Sequence, residues 1–148
     1  MSKRSILLVE DNEDDIALTL RALEKNNIGN EIIVARDGVE ALDFLFRRGK
    51  YSDRDHEMLP QVILLDLKLP KLSGLEVLER LRNEELTKYV PVVVLTSSAE
   101  ESDLVRSYDL GANSFVRKPV DFNEFLEATR QLGLYWLVIN RTVESGSI

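Results

Sequence analysis

Four consecutive aliphatic residues, Val62-Ile63-Leu64-Leu65, lie between Gln61 and Asp66, and Pro70 follows four residues after the aspartate. A run this short and this apolar is typical of a strand buried on both faces, as at the centre of a parallel sheet. Open α/β sheets bind their ligands outside the carboxyl ends of the strands. Asp66 is therefore either a functional carboxylate in such a crevice or a capping residue of the following turn.

Similar apolar runs recur along the chain, and segments with apolar residues at helical spacing separate them. The additional predicted strands are Ile6–Val9, Ile32–Ala35, Pro91–Leu95 and Ser114–Arg117, and the last of five predicted helices begins near Asp121. Strands that alternate with helices predict a doubly wound five-stranded parallel sheet with five helices. We expect a single domain over residues 1–148, with a polar loop at 47–59 and no separate output domain.

Composition excludes several function classes. The chain has 148 residues, a net charge of −7, no cysteine and one histidine. Without cysteine there is no thiolate nucleophile and no sulfur-liganded metal site, and a net negative charge argues against a nucleic-acid partner. No apolar run is long enough to span a membrane. The first four residues leave no room for a signal peptide, so we expect a cytoplasmic location.

Polar side chains stand at the carboxyl ends of four predicted strands: Glu10 and Asp11, Asp66, Thr96, and Lys118. Carboxylates that meet at one edge repel each other unless a cation joins them, and Mg²⁺ is favoured because it uses few protein carboxylates and keeps room for a phosphate. The hydroxyl of Thr96 and the ammonium of Lys118 suit phosphoryl oxygens. Taken singly, each has an ordinary structural explanation, but together they indicate a carboxylate that accepts a phosphoryl group.

At this point the sequence resembles the receiver domain of two-component response regulators over residues from about 5 to 135. The motifs that carry the resemblance are Ile6–Asp11, Leu64–Pro70 with Gly74, Val94–Ser97, and Gly111–Asn113 leading to Lys118-Pro119. The resemblance implies a flavodoxin-like receiver fold and phosphorylation by a sensor histidine kinase. It also implies that the chain is not an enzyme beyond catalysing its own phosphorylation and dephosphorylation.

Residue roles follow from the same resemblance. Asp66 corresponds to the phosphoacceptor. Asp11 and Asp66 correspond to direct Mg²⁺ ligands, Glu10 to a ligand acting through water, and the backbone carbonyl of Lys68 to a third protein ligand.

The switch residues implied by the resemblance lie in the second half of the chain. Thr96 corresponds to the switch hydroxyl and Lys118 to the phosphate-sensing lysine, with a cis bond before Pro119. Phe115 stands where many receivers have a tyrosine that swings inward, so a switch step that needs a hydroxyl there is in doubt.

The loop at 48–60 and the apolar ending Leu134–Ile139 resemble the single-domain regulators that partner cyanobacterial-type phytochromes. A phytochrome kinase is therefore the expected partner. The apolar ending either completes the monomer core or, with the face of the fourth and fifth helices, forms a homodimer contact.

Three other functions compete with this interpretation. They are a phosphorelay intermediate, an interaction domain that has lost phosphorylation, and a Mg²⁺-dependent phosphohydrolase with an aspartyl-phosphate intermediate. The hydrolases carry a second aspartate two residues after the nucleophile as acid and base, and Lys68 occupies that position here.

Overall fold

The computed structural model describes residues 5–53, 59–96 and 101–117, and in addition Asn123, Leu126, Glu127, Arg130 and Gln131. Strands and helices alternate through the described ranges. They are β1 (Ile6–Val9), α1 (Glu13–Lys25), β2 (Ile32–Ala35), α2 (Gly38–Leu45), a 3-10 helix (Gly49–Tyr51), β3 (Val62–Leu65), α3 (Gly74–Arg82), β4 (Val92–Thr96), α4 (Glu101–Asp109) and β5 (Ser114–Arg117). The five additional residues are helical, where the sequence predicts the last helix.

The five strands form one parallel sheet in the order β2-β1-β3-β4-β5. Val9 is level with Leu65, and Leu65 is level with Val94, so β1, β3 and β4 end at the same edge. The predicted doubly wound sheet is confirmed. The central strand β3 and its neighbour β1 pair with each other although about 50 residues separate them in sequence.

Side chains of each strand alternate between two hydrophobic clusters, one on each face of the sheet. Leu7, Val9, Ile63 and Leu65 belong to one cluster, and Ile6, Leu8, Val62 and Leu64 belong to the other. All eight are nearly inaccessible to solvent. Burial of an aliphatic side chain of this size stabilises the fold by about 1.5–3 kcal/mol, which explains why the central strands carry no polar residue before their ends.

Helix boundaries follow local capping chemistry. The side chain of Asn12 accepts a hydrogen bond from the Asp15 backbone N–H and begins α1, and Ser73 and Glu76 form a capping box that begins α3. After α4, Gly111 has a φ of +91°, the left-handed conformation expected of a glycine that ends a helix. Within the described part of the chain, no helix is long and apolar enough to cross a membrane.

The segment predicted as a polar loop at 47–59 contains a 3-10 helix that packs onto α2. The ring of Tyr51 contacts Phe44 edge to face with centroids 5.2 Å apart, and its hydroxyl donates to Glu40 at 3.1 Å. The Nζ of Lys50 lies 2.7 Å from Oε2 of Glu40. The 3-10 helix is therefore held against α2 by one aromatic contact and by the partly buried carboxylate of Glu40.

Glu40 is the electrostatic centre of that contact. Burial acts to raise the pKa of its carboxyl, but hydrogen bonds from Lys50, the Arg36 backbone N–H and the Tyr51 hydroxyl outweigh it and hold the pKa below its ordinary value. Burial, together with the hydrogen bond to Glu40, raises the pKa of Tyr51. The carboxylate is therefore ionised at neutral pH, and the tyrosine is protonated.

Candidate functional site

Three carboxylates meet at the carboxyl edge of the sheet. Glu10 and Asp11 follow β1 and Asp66 follows β3, and one carboxylate oxygen from each lies within 4.8 Å of the other two. The sheet fixes their backbones, because the Asp66 N–H donates to Val9 O at 3.0 Å and the Glu10 N–H donates to Ala35 O at 2.9 Å. The predicted convergence of these acids is therefore present in the structure.

Burial makes this cluster unusual. Glu10 is only 2% exposed and Asp66 only 7%, whereas Asp11 is open to solvent. The Asn12 N–H donates to Glu10 at 3.2 Å, and the Lys68 N–H donates to Asp66 at 3.3 Å. Three carboxylates this close together repel each other, so the arrangement favours a bound cation.

The donor set indicates which cations fit. All three side chains offer oxygen, the ligand atom that hard divalent cations such as Mg²⁺ and Ca²⁺ prefer. Asp11, the exposed member, lies on the open side, so a cation held here keeps coordination positions for water or a phosphoryl oxygen. The residues present thus fit a divalent cation.

Gly74 fixes the base of the loop between β3 and α3. Its N–H donates to Leu67 O at 2.8 Å. A Cβ at this position would lie 2.2 Å from the carbonyl oxygen of Asp66 and 2.6 Å from the Leu67 Cα, both backbone atoms. Only glycine permits this approach. The sequence predicts Gly74 just before the third helix, whereas in the structure it is the first residue of α3, and the sequence gives no sign that its missing side chain sets the position of Asp66.

The second half of the predicted site is described only in part. Thr96 is the last residue of β4 and pairs with Arg117 in β5, so its backbone stands at the same edge as Asp66. Phe115 is partly buried and packs against the cluster that contains Leu65 and Val94. The roles predicted for Thr96 and Phe115 stay predictions.

Three sequence predictions lie outside the described residues. They are the site lysine Lys118, the cis bond before Pro119, and the apolar ending Leu134–Ile139.

Comparison with known proteins agrees with the fold and the acidic site. The family model "Response regulator receiver domain" matches residues 6–130. The chain therefore belongs to the response regulator receiver family, and it is a receiver-domain response regulator of two-component signalling.

Individual relatives show which kind of response regulator this chain is similar to. The bacteriophytochrome response regulator AtBRR is 55% identical, with 95% of this chain and 100% of that chain covered and a TM-score of 0.78. The phosphorylated cyanobacterial phytochrome response regulator RcpA is 35% identical, covers 95% of this chain and 99% of its own, and has a TM-score of 0.87.

A third relative bears on the metal. Response regulator Rcp1 of Synechocystis sp. (strain ATCC 27184 / PCC 6803 / Kazusa) is 38% identical over 132 residues, which is 89% of this chain and 88% of Rcp1. A solved structure of Rcp1 is its Mn²⁺-bound form, with a TM-score of 0.85 and coverage of 93% of this chain and 97% of that chain. The chain is thus homologous to the phytochrome response regulators AtBRR and RcpA, and also to Rcp1, a response regulator that is known with bound Mn²⁺.

Proposed function

We propose that this chain is a single-domain response regulator whose Asp66 accepts a phosphoryl group from a sensor histidine kinase in a Mg²⁺-dependent reaction. The observation that carries the proposal is the group of three carboxylates at the sheet edge, two of them buried. A buried like-charged cluster is costly unless it serves a ligand. Membership of the receiver family supports the reaction class, and the position of Asp66 in the cluster supports its role as the acceptor.

The chemistry follows from the position of Asp66. One carboxylate oxygen attacks the phosphorus of a phosphohistidine in line, an O–P bond forms, the P–N bond breaks, and the imidazole leaves with the electron pair. Glu10, Asp11, Asp66 and the backbone carbonyl of Lys68 would hold the cation. When bound, Mg²⁺ neutralises charge on the phosphoryl oxygens.

The loop after β3 helps to prepare the nucleophile. The hydrogen bond from the Lys68 N–H engages one oxygen of Asp66 and restricts the rotation of the carboxylate. A fixed nucleophile needs less reorganisation in an in-line displacement, and most of the rate of this chemistry comes from positioning. The exposed side of the site, next to Asp11, is the side from which the phosphohistidine approaches.

The switch residues complete the proposal. The Thr96 hydroxyl and the Lys118 ammonium would each bind a phosphoryl oxygen, and Phe115 would repack as these groups move. A group with a charge near −2 biases such a two-state element by giving it new hydrogen bonds. Because phenylalanine has no hydroxyl, the repacking of Phe115 changes only an apolar contact.

The partner part of the proposal is supported by the relatives. AtBRR is a bacteriophytochrome response regulator and RcpA is a cyanobacterial phytochrome response regulator, so a phytochrome kinase is the proposed donor. A homodimer through the face of the fourth and fifth helices and Leu134–Ile139 belongs to the same proposal. The donor makes its phosphohistidine from ATP, so we place the reaction in the cytoplasm.

We further propose that the chain, residues 1–148, turns over no external substrate. Lys68 is exposed and stands where aspartyl-phosphate hydrolases have the aspartate that serves as acid and base, and its side chain has no carboxylate for that role. Passing the phosphoryl group on to another histidine protein, as a phosphorelay intermediate does, needs no further residue in this chain. It is the second candidate function.

The decisive experiment replaces Asp66 with Asn. The purified protein is incubated with acetyl phosphate and Mg²⁺, and the mass increase of one phosphoryl group is followed by intact mass spectrometry. We expect wild-type labelling that EDTA abolishes, and none in Asp66→Asn. Asp14→Asn is the matched control, because Asp14 is an exposed acid of α1 outside the cluster. Stoichiometric, stable labelling of Asp66→Asn would show that another residue is the acceptor.

A further inference from the structure

The loop between β3 and α3 makes a strained turn at Lys71. The Leu72 N–H donates to Pro70 O at 2.8 Å, which closes a turn of three residues, and Lys71 at its centre has a φ of +69°. Turns of this hand are rare and strained, and non-glycine residues adopt them only where neighbouring structure holds them. The turn lies three residues after Lys68, within the loop that follows Asp66.

The neighbouring structure is the turn between β2 and α2. The Lys71 Nζ lies 3.4 Å from Oδ2 of Asp37. The other oxygen of Asp37 accepts the Glu40 N–H at 2.7 Å and so caps α2. The side chain of Asp37 is 18% exposed and that of Lys71 63%. One carboxylate thus joins the first turn of a helix to the strained residue of the loop.

A second contact lies directly beside the ion pair. Gly38, the first residue of α2, faces Leu72 so closely that a Cβ would lie 2.6 Å from both the Cβ and the carbonyl oxygen of Leu72. The helix therefore rests against the backbone of the loop. Lys71 and Leu72 are both held from the α2 side, while Gly74 holds the other end of the loop at Asp66 and Leu67.

We propose that Asp37 is a positioning residue for the phosphoacceptor loop: through Lys71 it keeps the loop in the strained turn that places Lys68 and Asp66 for the cation. This rests on the proposed function, because it assumes that the cation binds beside Asp66. Asp37 contacts neither the phosphoryl group nor the cation in this account. The contacts form a series: Asp37 caps α2 and pairs with Lys71, and Lys71 fixes the loop that carries Lys68.

The chain offers variants that separate positioning from simple charge effects. Asp37→Asn keeps the helix cap, because Asn is as good an N-cap as Asp, and removes the ion pair. Lys71→Gln removes the same pair from the other side. If only long-range electrostatics mattered, losing an anion would weaken Mg²⁺ binding and losing a cation would strengthen it. Positioning predicts that both variants weaken it.

The measurement is the Mg²⁺ dissociation constant by isothermal titration calorimetry, with the rate of labelling by acetyl phosphate as a second readout. For an ion pair with one exposed partner we expect each variant to weaken Mg²⁺ binding by about two- to fivefold. The double variant should bind Mg²⁺ no more weakly than the single variant that has the lower affinity. Lys71→Arg should restore binding to within about twofold of wild type, since it keeps the cation.

Thermal unfolding is a further readout that separates positioning from a loss of stability. Thermal unfolding should change little in Asp37→Asn, so weaker binding without a lower melting temperature separates positioning from general destabilisation. Opposite shifts in the two single variants, additive effects in the double variant, or unchanged constants would each overturn the proposal. Wild-type protein that neither binds Mg²⁺ nor becomes labelled would instead refute the proposed function itself.

Discussion

Arg82, the last residue of α3, joins three segments that are separate in sequence. Its guanidinium donates to Gly111 O through Nε at 3.1 Å and through Nη2 at 2.8 Å. On the other side, Nη1 donates to Val90 O at 2.8 Å and to Lys88 O at 3.1 Å. One cation thus connects α3 to the segment before β4 and to the turn after α4. We predict that Arg82→Met destabilises the fold strongly.

The structure allows the magnitude to be worked out. The hydrogen bonds to Val90 and Lys88 are partly buried, whereas those to Gly111 are exposed, so water replaces the arginine most readily at Gly111. Net hydrogen bonds to a charged group contribute about 1.5–3 kcal/mol each. Discounting for partial exposure to about 1–2 kcal/mol for each of the two partly buried carbonyls gives a loss of about 2–4 kcal/mol. That is a large part of the stability of an ordinary domain.

Urea unfolding followed by far-UV circular dichroism measures this loss. Arg80→Met is the control, because Arg80 is an exposed cation in the same last turn of α3, so both changes remove the same favourable charge at the helix end. The difference between the two variants isolates the hydrogen bonds. Lys in place of Arg82 should recover less than half of the loss, since an ammonium lacks the fork that spans both sides. If Arg82→Met is no less stable than Arg80→Met, the reasoning is wrong.

Two further predictions concern the site loop and the 3-10 segment. Gly74→Ala forces a Cβ against the Asp66 backbone, so we expect about 1–3 kcal/mol of destabilisation together with weaker Mg²⁺ binding, measured by chemical unfolding and calorimetry. For Glu40 the folded pKa lies below its ordinary value of 4.5, so its ion pair stabilises the protein above that pH and the benefit is lost as the pH falls through the folded pKa. The stability difference between wild type and Glu40→Gln should therefore be constant near pH 7 and shrink below pH 4.5, and a difference that does not depend on pH would contradict this assignment.

Patterns within a short stretch of sequence predicted most of the fold. Four-residue aliphatic runs such as Ile6–Val9 and Val62–Leu65 form strands over those residues, because buried parallel strands accept little else. Pro91 was predicted inside a strand, but β4 begins at Val92, since proline has no N–H to give to the sheet. Gly111 lies just beyond the end of α4 with a left-handed φ, a conformation that suits glycine at this position.

Contacts between distant residues were not predictable in the same way. The acids Glu10, Asp11 and Asp66 were grouped correctly because parallel strands end at a common edge. By contrast, nothing in the sequence connects Arg82 to Gly111, since the acceptor is a backbone carbonyl that every residue carries. The 3-10 helix was missed for a similar reason, because Tyr51 is stabilised by Glu40 and Phe44, which precede it by several residues and show no local pattern with it.

The buried carboxylates at the sheet edge have a thermodynamic consequence. Repulsion between the crowded carboxylates destabilises the folded state. A cation that binds only the folded chain raises the free energy of unfolding by RT ln(1 + [L]/Kd). At a hundredfold excess over Kd this is about 2.7 kcal/mol. The melting temperature of the unphosphorylated protein therefore reports how much of the site is occupied by metal, and it rises with the logarithm of the metal concentration.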